Sequence, residues 1–218
     1  MRAVPTITLE DDPAPIVRIL GVTLRRSATH PQLAQTMDGM HGRVALTSTK
    51  DPQAATITFD KGRITIAHGV HPDTDITIAA DLETMGQPGA PKPKVKGAVA
   101  HPKLALGVSK VLEPPVDGGW RGAAREFWEW SDGRPGRPSS LRIVCTDDNG
   151  AEERFGDSDP ESKSGFEVHG PGWALTAVLT GADHLGAAAL AGRIQGVGDF
   201  PTMNRLIGLL TKRMLGDD

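Results

Sequence analysis

The side chains that could do chemistry in this sequence are few and scattered. His68 and His71 stand close to Asp73 and Asp75, and a His-x-x-His spacing can begin a metal site. No further His or Cys completes a known ligand set, and Pro72-Asp73 reads as a turn, so no metal is expected. Gly192, Gly196 and Gly198 lack the G-x-G-x-x-G order of a dinucleotide loop, and no Lys-Ser/Thr follows them as in a P-loop, so they read as tight turns. No G-x-S-x-G elbow occurs. Cys145, the single cysteine, closes an apolar run and reads as a small core residue rather than a nucleophile. Asp147-Asp148 and Glu152-Glu153 flank a hairpin turn and read as solvated carboxylates. No catalytic residue and no cofactor is assigned. Lys92, Lys94, Lys96 and Lys103 lie close together; they read as a solvated face, with a meeting point for an anionic headgroup, a CoA phosphate or a membrane surface as the alternative. Trp120, Trp128 and Trp130 gather near mid-chain and read as packing residues.

These groups must be positioned by a chain of 218 residues, room for two domains of about 100 residues each. A lone cysteine excludes an internal disulfide and fits a reducing cytoplasm. The net charge of -3 offers no basic field for nucleic acid, and aromatics at 4% offer few stacking platforms, so no nucleic-acid partner is expected. The charge is uneven: residues 1–116 hold 13 basic and 11 acidic side chains, a net +2, and residues 117–218 hold 11 and 16, a net -5. No window approaches the ~20 apolar residues that span a bilayer, so stable membrane insertion is not expected, while transient contact stays open. Neither a signal-peptide core near the start nor a peroxisomal address at Leu215-Gly216-Asp217-Asp218 is read.

Apolar spacing predicts a helix over 16–37, interrupted at Pro31. Alternation predicts strands over 43–49, 55–60, 63–67 and 75–79, a short helix from Asp81, a loop over 86–93, a strand over 94–99 and a helix over 102–112. After a linker at 114–119 come a helix over 121–130 and strands over 141–146, 152–155, 165–169 and 174–180, with a solvated acidic loop over 157–164. A helix over 183–191, a strand over 193–197 and a helix over 201–215 close the chain.

The halves agree in element order and in residues. Lys96-Gly97-Ala98-Val99-Ala100-His101-Pro102 lies over Gln195-Gly196-Val197-Gly198-Asp199-Phe200-Pro201 without a gap, and the helices that follow match Leu104 with Met203, Val108 with Ile207 and Val111 with Leu210. The reading is a diverged duplication, residues 1–116 and 117–218. Pro31-Gln32-Leu33 ahead of Gly39, the strand pair 55–60 and 63–69, and above all Pro72-Asp73-Thr74-Asp75-Ile76-Thr77-Ile78 resemble the sterol-carrier-protein type-two family. In the second half Gly192-Arg193-Ile194-Gln195-Gly196-Val197-Gly198-Asp199 is similar to the family's closing segment. The chain departs from the family where Trp173-Ala174-Leu175-Thr176 replaces the Pro-Asp-Thr strand, and in its loops at 86–93 and 157–164.

That resemblance implies an α+β protein of two domains, each an antiparallel sheet covered on one face by helices, with an apolar tunnel between the layers for a fatty acyl chain, a sterol or an acyl-CoA. Its lining would come from Leu104, Val108, Val111, Met203, Leu206, Ile207 and Leu210. The expected function is non-enzymatic binding or transfer of a hydrophobic small molecule. The rivals are an accessory domain partnering a catalytic chain, and a small-molecule enzyme using His71 or His169.

Overall fold

The computed structural model describes residues 5–85, 87–156 and 165–216. The acidic stretch 157–164, Gly86 at the head of the first long loop, and Asp217 and Asp218 lie outside the described residues. The chain is a mixed α+β protein that divides into two compact units, Met1–Pro114 and Pro115–Asp218.

The first unit runs β1 (Thr6–Leu9), α1 (Pro15–Thr29), α2 (Pro31–Asp38), β2 (His41–Ser48), β3 (Ala54–Asp60), β4 (Arg63–His68), β5 (Ile76–Ala80), β6 (Lys94–Lys96) and α3 (Pro102–Leu112). Each of its helices has a proline in its first turn, where the missing N–H costs nothing. Pro31 also forces His30 into an extended conformation, which separates α1 from α2. The six strands are ordered β1-β4-β3-β2-β5-β6. Val44, Leu46, Ile57, Phe59, Ile64, Ile66 and Ile76 alternate onto one face and form a buried core with Val17, Leu20 and Leu24 of α1 and Leu104, Val108 and Val111 of α3.

The sheet is mixed rather than antiparallel, which corrects the expectation. β2 runs parallel to β5, and β1 parallel to β4. To begin a parallel strand, the link 69–75 must return along the sheet, and it does so across the helix-free face. Thr56 Oγ1 donates to Gly69 O at 2.8 Å and accepts from His71 N at 3.0 Å. Arg43 N donates to Asp75 Oδ2 at 2.7 Å, and Asp75 N to Arg43 O at 2.9 Å. This crossing explains why Ala45 and Thr56, which point away from the helices, are nonetheless buried.

The second unit runs α4 (Gly119–Trp130), β7 (Ser140–Cys145), β8 (Glu152–Gly156), β9 (Gly165–Gly170), α5 (Gly172–Thr180), α6 (Leu185–Leu190), β10 (Gln195–Val197) and α7 (Phe200–Leu215). Its sheet order, β10-β9-β7-β8, is again mixed, with β7 parallel to β9. Read as β8-β7-β9-β10, it repeats β3-β2-β5-β6 in both order and direction: antiparallel, parallel, antiparallel.

Two local expectations are overturned. Residues 174–180 are not a strand but the body of α5. Ala174, Leu175, Val178 and Leu179 are buried at helical spacing, and a continuous apolar run carries no period to separate the two states. No helix starts at Asp81. Its carboxylate accepts from Glu83 N at 3.2 Å and pairs with Lys50 at 2.9 Å, which holds a turn.

The buried stripe of α7 is Thr202, Leu206, Leu209, Leu210 and Arg213, a few tens of degrees round from the stripe read in sequence. Arg213 accounts for the rotation: its guanidinium bonds Glu126 Oε1 of α4 at 2.6 Å and lies 5.2 Å from the Trp130 ring, so it enters the layer as a partnered cation.

Candidate functional site

The residues expected to line a ligand site fall into two separate cores. Leu104, Val108 and Val111 are buried in the first unit's cluster, and Leu206 and Leu210 in the second's, with Met203 and Ile207 half-buried against it. Each matched helix therefore joins the core of its own unit.

Where the first unit's apolar layer reaches its β6 edge, it surfaces. Val95 pairs with Ile78 on the helix-covered side, and both flanking lysines, Lys94 and Lys96, point to the other side. Val95 is 48% exposed and Val99 in the connection 97%. Lys92, Lys94, Lys96 and Lys103 around this lip are exposed, and none has an ion-pair partner among the described residues. An apolar lip rimmed by free ammonium groups suits a molecule with an apolar body and an anionic head.

The lip is built on Gly97. Its φ of +84° turns the chain from β6 towards α3, and a Cβ there would lie 2.0 Å from Asp75 O. Beyond it, His101 Nε2 stands 3.6 Å from Asp75 Oδ1, and Leu104 Cδ2 approaches Gly42 so closely that a Cβ on Gly42 would be 2.8 Å away. The helix α3 is fastened at its far end, where Ser27 Oγ donates to Val111 O at 2.6 Å, while its first turn has no side-chain cap.

Next to the lip lies an open cleft of about 360 Å³, lined among others by His41, Arg43, Asp60, Asp73 and Asp75. Arg43 Nη1 donates to Asp73 Oδ2 at 3.2 Å and to His71 Nδ1 at 3.3 Å, and Asp73 N donates to the same nitrogen at 3.3 Å. Both neighbours can only donate, so His71 presents its bare nitrogen. The sequence motif His68-x-x-His71 does not become a ligand pair: His71 is engaged with Arg43, and the amide of His68 donates to Glu10. Among the described residues no three metal-ligating side chains come together.

His169 lies on the helix-free face of the second sheet, where Nε2 donates to Glu167 Oε2 at 2.9 Å. It ends an ionic ladder across three strands: Arg154, Glu152, Arg142, Glu167, His169. The carboxyl of Glu167 is held below the usual glutamate range, first by the His169 bond and then by Arg142. A depressed carboxylate stabilises the fold fully above its unfolded pKa, and loses that contribution as pH falls through the folded value. Glu167→Gln is therefore expected to unfold at lower urea than the parent at pH 7. The gap should shrink as pH falls below about 4.5 and close on further acidification, as urea melts across this range would show. A gap independent of pH would contradict the ladder's role.

Cys145 is buried, and burial together with its bond to Asp147 Oδ1 at 3.0 Å pushes the thiol up to about 11. A thiol so protonated at neutral pH is a core residue. Asp147 in turn accepts from Gly172 N at 2.8 Å at the start of α5, so these carboxylates organise structure.

Sequence reasoning missed the lip. Val95 and Val99 look like ordinary strand positions. The available signal was Lys94-Val95-Lys96 itself, one apolar residue between two charges on what proves to be an edge strand. No protein-family model matches the chain, and no curated protein is found similar to it. No helix among the described residues is long and apolar enough to cross a membrane.

Proposed function

We propose that the protein binds, without catalysing a reaction, a hydrophobic small molecule with an anionic head, of fatty acyl, acyl-CoA or sterol-conjugate type, at the first unit's β6–α3 lip. The observation that carries this is exposed Val95 on the helix-covered side of the edge strand β6, followed by exposed Val99 in the connection to α3, in a stretch whose four lysines have no ion-pair partner among the described residues. The ligand's apolar body enters that layer as the first turn of α3 lifts about its Ser27-anchored end, with the adaptable side chain of Met40 giving way beneath Gly107. Covering the apolar lip contributes ~25 cal/mol per Å². The likeness of strand order between the units supports the reading of a duplicated sterol-carrier-like domain, in which the first copy keeps the binding role.

The test is a titration with a fluorescent fatty acyl probe. The parent is expected to saturate, and Val95→Asp to weaken the affinity about tenfold or more. The stability of this variant should fall by about 1 kcal/mol or less, because Val95 is half-exposed on an edge strand. Probe affinity unmoved by Val95→Asp would remove the lip from the account.

The histidine-enzyme alternative loses ground, since His71 and His169 both belong to helix-free sheet faces.

A further inference from the structure

Between Glu83 and Glu113 the chain carries five lysines, Lys92, Lys94, Lys96, Lys103 and Lys110, and no Asp or Glu, although the whole chain has a net charge of -3. All five are exposed, and none has an ion-pair partner among the described residues. Four of them belong to one short stretch: the edge strand β6, its approach and the first turn of α3. Lys94 and Lys96 leave β6 on the helix-free side, opposite Val95. The chain then turns tightly, with Ala100 N and His101 N both donating to Gly97 O at 3.1 Å. Val99 is held in that turn, almost wholly exposed. This is a basic edge with one apolar knuckle.

We propose that the stretch from Lys92 to Lys103 docks the protein on an anionic lipid bilayer, with the lysines over the headgroups and Val99 entering the interface among them. Charge complementarity selects an anionic partner, and the composition of the stretch selects its kind. Pro91 and Pro93 withhold N–H groups, and edge lysines oppose strand addition, so β6 is guarded against an extended peptide. Between Glu83 and Glu113 there is no Phe, Trp or Tyr on which a base could stack. There is no arginine either, so nothing grips a single phosphate with a planar fork; lysines are compact charges on flexible stems. Such charges around an exposed valine suit a plane of negative headgroups with an apolar interior. The proposal rests on the ligand reading only for the cargo: docking sets the β6 edge, and the lip on it, against the membrane from which an amphiphile is taken.

Co-sedimentation of the full chain with large unilamellar vesicles tests this, with no acyl probe present. The parent is expected to bind vesicles of equimolar phosphatidylcholine and phosphatidylglycerol at low salt, and to leave vesicles of phosphatidylcholine alone. Combining Lys94→Gln, Lys96→Gln and Lys103→Gln is expected to lower the partition coefficient about a hundredfold, at about fivefold per lysine. Combining Lys94→Arg, Lys96→Arg and Lys103→Arg keeps the charge and should keep the binding. Val99→Asp should lower it about tenfold, and Lys212→Gln, an exposed lysine of the second unit, should leave it unchanged. Equal binding to both vesicle types, binding to neither, or binding unmoved by the three glutamines overturns the proposal, as does tighter binding to duplex DNA than to the anionic vesicles. A chain that takes up the acyl probe yet ignores anionic vesicles overturns docking alone. One that binds the vesicles and no probe upholds docking and removes the ligand reading.

Discussion

Phe59→Ala is expected to lower the stability of the first unit by about 3–5 kcal/mol, the largest single loss anticipated for this fold. Phe59 is fully buried in the middle of the six-stranded sheet, paired across β2 and β4 with Gly42 and Ile64. Gly42 brings no side chain to fill the space that a truncated ring would leave, so refilling it from that side requires Leu104, whose Cδ2 lies over Gly42, to shift. Typical domains hold only about 5–15 kcal/mol in total, so the loss is a large share of what is available. Urea unfolding followed by far-UV circular dichroism measures it. All four tryptophans, Trp120, Trp128, Trp130 and Trp173, belong to the second unit, so their emission serves as that unit's separate reporter. A loss under about 1 kcal/mol would mean that the ring is not the keystone of this core.

Gly97→Ala is expected to cost about 2–4 kcal/mol, combining the left-handed backbone, at about 1–2 kcal/mol, with displacement of the neighbouring strand. The added Cβ meets Asp75 O at 2.0 Å, an atom fixed by the sheet rather than the tip of a flexible side chain. Because Gly97 is the pivot between β6 and α3, the variant should also weaken acyl-probe binding. Gly69→Ala is the matched control: φ is +85° there too, but a Cβ would meet nothing within 4 Å. Its cost should be limited to the backbone part, about 1–2 kcal/mol. Equal losses in the two variants, by urea titration, would show that the close approach to Asp75 is of no consequence.

Much of the fold was legible wherever a period or a proline spoke for it. Alternation exposed β2, β3, β4 and β5, Pro31 marked the break between α1 and α2, and Pro102 the start of α3. What stayed hidden depends on long-range geometry. Strand direction is not written in hydrophobic alternation, so the parallel pairings of β2 with β5 and β7 with β9 had to come from the structure, as did the seven-residue crossing 69–75 that makes one of them. The α5 segment misled because Ala174 to Leu179 is apolar almost throughout. For the site, the stripe of α3 was legible and its burial follows, but the lip was not. Whether a valine between two lysines lies inside a sheet or on its rim is decided by what is absent beside it, and that is a property of the whole sheet.

The most direct test of the central claim is native mass spectrometry of freshly purified protein, followed by denaturing extraction and lipid identification. The account predicts one anionic amphiphile per chain, lost in Val95→Asp. A mass equal to that of the bare chain, together with no uptake of the acyl probe, would contradict it.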